Sequence, residues 1–298
     1  ILREGERSSY QVMEAEMNNF PVRLMCKTLE LSPSGFYAWL KRGCNPPKVR
    51  RDKKILSEIR LIHSEVRETY GSPRMTDEMQ ARGYVINHKR IERIMQENGI
   101  QGIPARKFKV TTDSKHRFPL AENKLKQRFD VKAPNKVWAS DITYISTSEG
   151  WMYLAVVMDL YSRRIIGWSM DKRMETSLIS TALNMALGMR ELGDEMMHHS
   201  DRGVQYCSNA YRALLEKNGI AISMSRKACC WDNAVVESFF GTLKQELVYR
   251  RRFSTRASAR VEVEDYIEVF YNRTRRHTTL DSMSPANFEA MYPKGKTA

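Results

Sequence analysis

Three acidic residues occupy positions where acidic side chains are uncommon and from which they could bind a cation together. Asp141 lies in an apolar run between Trp138 and Ile142, where an unpaired carboxylate is costly to bury. Asp201 ends a short predicted strand, and Glu237 lies one turn into a predicted helix. Sites in α/β sheets tend to form at strand ends, so these carboxylates could converge. Converging carboxylates repel one another unless a cation neutralises them, and Mg²⁺, which shares oxygen ligands with substrate phosphates, is the natural candidate.

The helix predicted over 232–249 carries two further residues on the same face as Glu237. Its apolar residues recur at i, i+4, i+7 and i+11, the pattern of a buried stripe, while Glu237, Gly241 and Lys244 line the adjacent face. Gly241 costs a helix about 1 kcal/mol relative to alanine. Helical geometry leaves two interpretations equal. Either a phosphate approaches the helix at Gly241, or the helix packs closely there and its Glu–Lys face is solvated.

The charge of the chain indicates a class of partner. The 298 residues include 49 Lys and Arg against 35 Asp and Glu, for a net charge of +14. A positive field of this size attracts polyanions, of which nucleic acid is the commonest. The competing interpretation is a basic enzyme that binds no nucleic acid. The charge therefore favours a nucleic-acid partner.

Composition excludes several classes of protein. Hydrophobic residues make up 42% of the chain, too many for a disordered protein. No apolar run approaches the roughly 20 residues of a membrane span, and there is no signal-peptide pattern. The five cysteines form no CxxC pair, which argues against a zinc ribbon or a secreted disulfide framework. We therefore expect a cytoplasmic protein with no membrane partner. The first residue, Ile1, is compatible with a processed or trimmed chain or with the downstream part of a longer polypeptide.

The elements that must position the three carboxylates form a predicted α/β layer. Apolar runs predict strands over 137–145, 151–158, 163–170, 196–200 and 220–224. Helical periodicity predicts helices over 178–189, 208–218, 232–249 and 255–276. Three consecutive strands followed by alternating helices and strands indicate a mixed sheet with flanking helices.

Two helical modules precede this layer. Residues 20–42 have the pattern of a helix-turn-helix, although any helical hairpin would share it. Residues 50–100 predict three short helices joined by tight turns. Lys89, Arg90 and Arg93 form a basic face on the third helix, and this face is either a DNA contact or merely solvated. Both modules are therefore candidates for DNA binding.

The segment 101–134 separates the helical modules from the α/β layer. It has nine basic residues against three acidic ones and no clear periodicity. Arg106, Lys107 and Lys109 lie at its start and are candidate phosphate contacts. The segment is interpreted either as a connector that follows a DNA backbone or as a plain flexible linker.

Three sequence blocks carry a resemblance to a known family. They are Ser140-Asp141-Ile142-Thr143-Tyr144-Ile145, His199-Ser200-Asp201-Arg202-Gly203-Val204-Gln205-Tyr206 and Asp232 through Glu237 to Lys244. These blocks resemble the catalytic blocks of DDE transposases, and in particular the integrase-core, OrfB-type enzymes of bacterial insertion sequences. Thirty-five residues separate Asp201 from Glu237, and a lysine follows the glutamate by seven positions, both as in the family. The resemblance runs through most of the chain, in the family's order.

The resemblance implies a fold, an activity and a set of site residues. The fold is a ribonuclease H-like core, a mixed five-stranded sheet with flanking helices, after all-α helix-turn-helix modules. Asp141, Asp201 and Glu237 would be the catalytic residues and the ligands of two Mg²⁺ ions, which Mn²⁺ could replace. The reaction is DNA cleavage at the element ends followed by strand transfer, and Lys244 would hold a phosphate. Ser140 and His199 neighbour these residues but are assigned no catalytic role.

The resemblance also implies partners. We expect binding to double-stranded DNA, both the terminal inverted repeats of the element and the target, by a homo-oligomer. The His/His/Cys/Cys spacing of the more distant retroviral integrases is missing, so we expect no zinc. Two alternatives stay open: a structure-specific nuclease on the same fold, and a DNA-binding regulator with an inactive core.

These patterns divide the chain into five predicted parts. They are an N-terminal helix-turn-helix segment (1–47), a three-helix DNA-binding module (48–100), a basic linker (101–134), the catalytic core (135–253) and a C-terminal helix and tail (254–298).

Overall fold

A single five-stranded sheet organises the protein. The computed structural model describes residues 4–42, 47–104, 120–226 and 230–293. The strands are β1 (Val137–Thr147), β2 (Gly150–Asp159), β3 (Ile165–Asp171), β4 (Met197–Ser200) and β5 (Ala221–Met224). Their order across the sheet is β3-β2-β1-β4-β5. Strand β2 pairs antiparallel with both β1 and β3, whereas β4 pairs parallel with both β1 and β5. This mixed sheet with flanking helices confirms the predicted ribonuclease H-like fold class.

Helices cover both faces of the sheet and precede it. Within the described residues the α-helices are α1 (Glu4–Glu16), α2 (Val22–Thr28), α3 (Pro33–Arg42), α4 (Pro47–Glu65), α5 (Ser72–Ala81), α6 (His88–Glu97), α7 (Thr176–Met189), α8 (Asn209–Lys217), α9 (Ala234–Glu246), α10 (Arg256–Asp265) and α11 (Pro285–Ala290). None of these helices combines the length and apolar character needed to cross a membrane.

The two faces of the sheet bury different clusters. Trp138 of β1 faces α7 and α8, where Leu183 and Tyr211 are fully or almost fully buried. The opposite face packs against α9 and the C-terminal helices, and its apolar cluster continues into the three-helix module of α4, α5 and α6. Because one cluster includes both parts, this helical module is docked on the core. Helices α1 to α3 bury a separate small cluster around Phe36.

The structure changes two of the predicted helices. The helix predicted from Asp232 begins at Ala234, after a 3₁₀ turn over Cys230–Asn233. Asp232 is outside the α-helix because its carboxylate accepts hydrogen bonds from other segments. The helix predicted over 255–276 is α10, which continues as a π-helix over Tyr266–Thr274. The five strands match their predicted positions to within a few residues.

Part of the predicted basic linker packs on the core. Arg106, Lys107 and Lys109 lie outside the described residues. Farther along, Leu125 is buried, and the Ser223 hydroxyl accepts hydrogen bonds from the backbone N–H groups of Lys124 and Leu125. The segment before β1 is therefore attached to the edge strand β5.

Candidate active site

Asp141 lies where β1 separates from its parallel neighbour. The pairing of β1 with β4 ends at Ser140 and Ser200, while β1 continues beside β2 for several more residues. One Asp141 carboxylate oxygen accepts a hydrogen bond from the Ile142 N–H, at 2.7 Å. Burial raises the pKa of Asp141 well above its usual range, and the negative charge of Asp201 raises it further. The charge of Glu237 adds to this shift, and attraction to the Lys244 ammonium opposes it.

Asp201 follows the last residue of β4 directly, at the carboxyl end of that strand. Its Oδ1 accepts a hydrogen bond from the Gly203 N–H, at 2.8 Å. A Cβ atom on Gly203 would lie 3.1 Å from this oxygen, closer than side chains usually approach. The turn after β4 therefore favours glycine and holds the carboxylate at the strand end.

Glu237 belongs to the first turn of α9, where the helix dipole stabilises negative charge. Burial nevertheless raises the pKa of Glu237, and repulsion from Asp201 adds to the shift. The Asn233 side chain donates to the Ser140 carbonyl at 3.3 Å, which attaches the start of α9 to the strand that carries Asp141. The fold thus brings the three predicted ligands into one electrostatic neighbourhood.

The donor set fits a divalent cation by its chemistry. Burial, and after it the charge of Asp201, raises the pKa of both Asp141 and Glu237, so bound positive charge would relieve the repulsion among these carboxylates. Across the described ranges, no three acidic, histidine or cysteine side chains come close enough together to hold one ion. The structure therefore places Asp141, Asp201 and Glu237 as interacting neighbours, without a closed three-ligand cluster.

Lys244 lies on the same helix as Glu237, in the last turn of α9. Its Nζ lies 4.6 Å from the centroid of the Tyr144 ring, within the range of a cation–π contact. Burial lowers the pKa of Lys244, and attraction to Asp141 partly opposes that shift. Lys244 therefore supplies positive charge near Asp141.

The two histidines next to Asp201 are neutral parts of the scaffold. Burial lowers the pKa of His198 to about 3 and that of His199 to about 4. His198 Nε2 is 2.8 Å from the Ser140 hydroxyl and 3.0 Å from that of Tyr211. His199 contacts the hydroxyl of Ser223 at 2.9 Å. These hydrogen bonds join β1, β4, β5 and α8 beneath the site.

Asp232 is a positioning residue that sequence reasoning interpreted only as a helix start. It is fully buried, and its carboxylate accepts hydrogen bonds from Asn123 Nδ2, Gln127 Nε2 and the backbone and guanidinium of Arg226. It thereby joins the segment before β1 to both ends of the loop that precedes α9. An acidic residue two positions ahead of a helix start is so common that no sequence signal distinguishes this role.

The predicted basic face of α6 is only partly available to a ligand. Arg90 and Arg93 both donate to the Asp52 carboxylate of α4, at 2.6 and 2.7 Å, and Arg93 also pairs with Glu97. Lys89 is exposed. The two arginines therefore hold the module together, and Lys89 is the member of the predicted set that faces solvent.

Models of protein families match three parts of the chain. Residues 131–230 match the model described as an integrase core domain, and 237–292 match a second model with that description. Residues 50–108 match an HTH-like domain.

Comparisons with individual proteins cover almost the whole chain. Transposase InsF for insertion sequence IS3A of Escherichia coli K12 is 41% identical over 281 residues, which cover 94% of this chain and 98% of that protein. The insertion element IS600 uncharacterized 31 kDa protein of Shigella sonnei is 42% identical over 268 residues, covering 90% and 98%.

Among solved structures, the simian T-cell lymphotropic virus intasome in complex with PP2A regulatory subunit B56 gamma has a TM-score of 0.46 at 16% identity, covering 78% of this chain and 74% of that one. The HTLV-2 integrase catalytic core domain in complex with magnesium has a TM-score of 0.41 at 16% identity, covering 53% and 97%.

Proposed function

The chain belongs to the family of InsF transposases of IS3 insertion sequences, and we propose that it cuts DNA at the ends of such an element and joins them to target DNA in a Mg²⁺-dependent reaction. Transposition and DNA integration follow from the family. The metal requirement, the residues and the DNA sites are the parts that we propose here. The match extends through the HTH-like module, so it favours a transposase over a structure-specific nuclease.

The observation that carries the proposal is the electrostatic coupling of three carboxylates. Burial raises the pKa of Asp141 at the end of β1 and of Glu237 on α9, and the charge of Asp201 at the end of β4 raises both further. Repulsion among partly buried carboxylates lowers the stability of the folded protein. A binding or catalytic role explains such an arrangement better than a purely structural role does. Phosphoryl transfer with divalent ions requires such a group of oxygens.

Asp141, Asp201 and Glu237 would hold two divalent ions. When bound, the ions would supply Lewis acidity to the attacking and leaving oxygens of a phosphodiester. We expect Mn²⁺ to support activity, since it accepts the same oxygen ligands, and we expect no zinc requirement.

The protein's own groups bind and orient the DNA. Lys244 carries a cation at the edge of the carboxylate group and would hold a non-reacting phosphate oxygen. Because His198 and His199 are neutral and hydrogen-bonded within the scaffold, they would keep β4 in register and take no part in proton transfer. Asp232 would keep the start of α9, and with it Glu237, at a constant distance from β1.

The partners that we propose are double-stranded terminal inverted repeats and target DNA. The HTH-like module over 50–108 would bind the ends, with the remaining basic surface following the backbone. The active form would be a homo-oligomer on DNA, which sedimentation of the protein with and without an end duplex would test.

The decisive experiment uses the DNA ends that flank the coding sequence. The full chain is incubated with a labelled end duplex, a target plasmid and Mg²⁺, and the products are sequenced. We expect a nick at the element end and joined products. A protein that cuts branched DNA but never joins a 3′-hydroxyl end to the plasmid would instead be a nuclease. One that binds without cutting would be a regulator.

A further inference from the structure

Two large aromatic side chains lie exposed beside the candidate active site and contact each other. Tyr144 of β1 and Trp151 of β2 are each about half exposed, at 50% and 51%. Their ring centroids are 5.0 Å apart and their planes meet at 80°, an edge-to-face pair. The proposed catalytic residues leave both rings without a role.

The register of the hairpin explains why the pair remains open to solvent. Tyr144 lies opposite Tyr153, and Trp151 lies opposite Ser146, so the two aromatic residues are diagonal neighbours on one face. Ser146, the residue opposite Trp151, is exposed, and its side chain is too small to cover the Trp151 ring. The strand β4 that would flank this part of β1 ends at Ser200.

The aromatic pair continues a line of groups that starts in the carboxylate cluster. Asp141 attracts the Lys244 ammonium. The ammonium lies 4.6 Å from the Tyr144 centroid, and that ring contacts Trp151. A ligand that extends from the carboxylates past Lys244 would therefore next meet the Tyr144 ring and then the Trp151 ring. Along a DNA strand, charged phosphates likewise alternate with bases, and each base presents a π-surface.

We propose that Tyr144 and Trp151 form a stacking surface for an unpaired nucleobase of the DNA strand that enters the active site, with Lys244 holding the adjoining phosphate. This inference rests on the proposed function, because it takes the reacting phosphate to lie at the carboxylates. It names the class of ligand as an unpaired end of DNA, in addition to the duplex that the family implies.

An unpaired base fits better than a paired one. In a duplex both faces of an inner base are covered by its neighbours, so an aromatic side chain reaches a base face only after the base leaves the stack. Stacking of a base on an aromatic ring is tolerant of sequence, because every base has a π-face. A reacting end that has frayed would offer such a base next to its terminal phosphate.

The surroundings of the pair suit a polyanion. The Arg256 guanidinium donates to the Trp151 carbonyl at 3.1 Å and also contacts Glu149, and the Arg251 side chain is 64% exposed although its Nε lies 3.4 Å from Glu262. Phe253, between them, forms a bridge to Thr147 at the tip of the hairpin. The aromatic pair therefore lies between Lys244 and the basic segment 250–256, which favours DNA over a second protein chain as the occupant.

The test measures stacking directly, with divalent metal omitted so that no cleavage is needed. The probe is a short duplex that ends in two unpaired 2-aminopurine nucleotides at its 3′ end, and its fully paired counterpart is the reference. Stacking quenches 2-aminopurine fluorescence. We expect the full chain to quench the unpaired probe on binding. Tyr144→Leu and Trp151→Leu should each bind that probe roughly 10-fold more weakly and bind the paired duplex as before.

Ring-preserving variants are the matched controls. Tyr144→Phe and Trp151→Phe keep an aromatic face and should retain most of the quenching. If the leucine variants prove unstable, the wild-type protein and the phenylalanine variants still test the proposal. Binding of the unpaired probe by the wild type without quenching overturns it. Equal weakening towards both probes also overturns it. A change in oligomeric state with unchanged quenching would assign the rings to a protein contact instead.

The outcome separates this inference from the proposed function. A wild-type protein that joins DNA ends with Mg²⁺ but does not quench the unpaired probe removes only the stacking surface. A protein that shows ring-dependent quenching and never cuts any DNA supports the surface and removes the proposed function.

Discussion

Helix α9 carries an acidic side chain near each of its ends, and the two have opposite surroundings. At the N-terminal end, Glu237 faces Asp141 and Asp201, so like charges meet. At the C-terminal end, Glu246 is buried but surrounded by donors. Arg275 donates to both of its carboxylate oxygens at 2.9 Å, and the Tyr266 hydroxyl donates at 2.8 Å.

The second group connects separate parts of the protein. Arg74 of α5 lies 3.6 Å from Glu246, while Arg275 follows the π-helix of the C-terminal region. The Arg275 guanidinium is buried, and the charge of Glu246 raises its pKa against the effect of desolvation. The Tyr70 hydroxyl accepts a hydrogen bond from the Arg276 N–H, at 2.7 Å. The paired group thus holds the HTH-like module, α9 and the C-terminal segment together.

The comparison teaches that burial of a carboxylate does not reveal its role, whereas the balance of charge around it does. A buried carboxylate with arginine and tyrosine donors is satisfied, and removing one partner leaves an uncompensated charge. Carboxylates that repel one another are stabilised when a cation binds, so such a cluster indicates binding. The same helix therefore joins a structural junction to a candidate catalytic site.

The largest expected effect concerns the unbalanced end. Asp141→Asn, Asp201→Asn and Glu237→Gln should each reduce cleavage of an end duplex by at least about a thousandfold, the scale of losing an essential catalytic group. Without Mg²⁺, the melting temperature should hold or rise slightly, because each change relieves repulsion. Cleavage assays, gel shifts and melting curves are compared. Near-native cleavage by any one variant would remove that residue from the proposed ligands.

The balanced end should respond in the opposite way. Arg275→Met should lower the free energy of unfolding by about 3–5 kcal/mol, because it leaves Glu246 buried without its main partner. Denaturant unfolding of the full chain measures the loss. The double variant Glu246→Leu with Arg275→Met is the control and should recover part of it. A loss below about 1 kcal/mol would mean that the junction tolerates an unpaired carboxylate, and the contrast between the two ends would fail.

Lys244 tests where the unbalanced cluster meets DNA. Lys244→Ala should lower the rate of cleavage roughly 10- to 100-fold, because a misplaced phosphate reacts slowly, and should weaken overall binding much less. Lys244→Arg, which keeps the charge, is the control. Equal losses of binding and turnover would move Lys244 out of the active site.

Asp159 is a buried carboxylate with hydrogen-bond donors but, within the described residues, no ion pair with arginine, and its effect on stability should depend on pH. It accepts hydrogen bonds from the Asn135 and Tyr161 N–H groups, and burial raises its pKa from 3.8 to about 6. Since the folded protein binds the proton more tightly, this group contributes stability below about pH 4 that is lost as the pH rises through 6. The contribution amounts to about 1–3 kcal/mol.

Denaturant unfolding between pH 4 and 8 measures that contribution as the difference between the wild type and Asp159→Asn. The wild type should lose more stability than the variant as the pH rises from 4 to 6. Parallel curves would show that Asp159 is ionised throughout.

The smallest effect is expected at the surface. Lys89→Ala should reduce the slope of log affinity against log salt by about 0.9 if Lys89 contacts one phosphate. Arg90→Ala and Arg93→Ala should instead lower the stability of the module, because both arginines pair with Asp52. Duplex binding at several salt concentrations, with thermal melting beside it, distinguishes the two behaviours. An unchanged slope for Lys89→Ala would place the DNA contact elsewhere.

Much of the fold could be predicted because its signals are local. The apolar runs over 151–158 and 163–170 predicted β2 and β3 closely, since strands buried on both faces are almost continuously apolar. Asparagine is a preferred helix N-cap, and the Asn87 side chain accepts a hydrogen bond from the Arg90 N–H at the start of α6. The predicted start of α9 was wrong because Asp232 accepts hydrogen bonds from Asn123 and Gln127, more than 100 positions away, as well as from Arg226 in the preceding loop.

The sequence by itself determined the order of strands and helices, the identity of the three candidate carboxylates and the positive charge that suits DNA. Only the tertiary structure decided which acidic residues form ion pairs with arginine and which lie beside other carboxylates. Glu237 and Glu246 look alike in sequence, on one helix, nine positions apart. Their difference comes from Asp201 on one side and Arg275 on the other, and contacts between distant segments arise from packing, which no local pattern encodes.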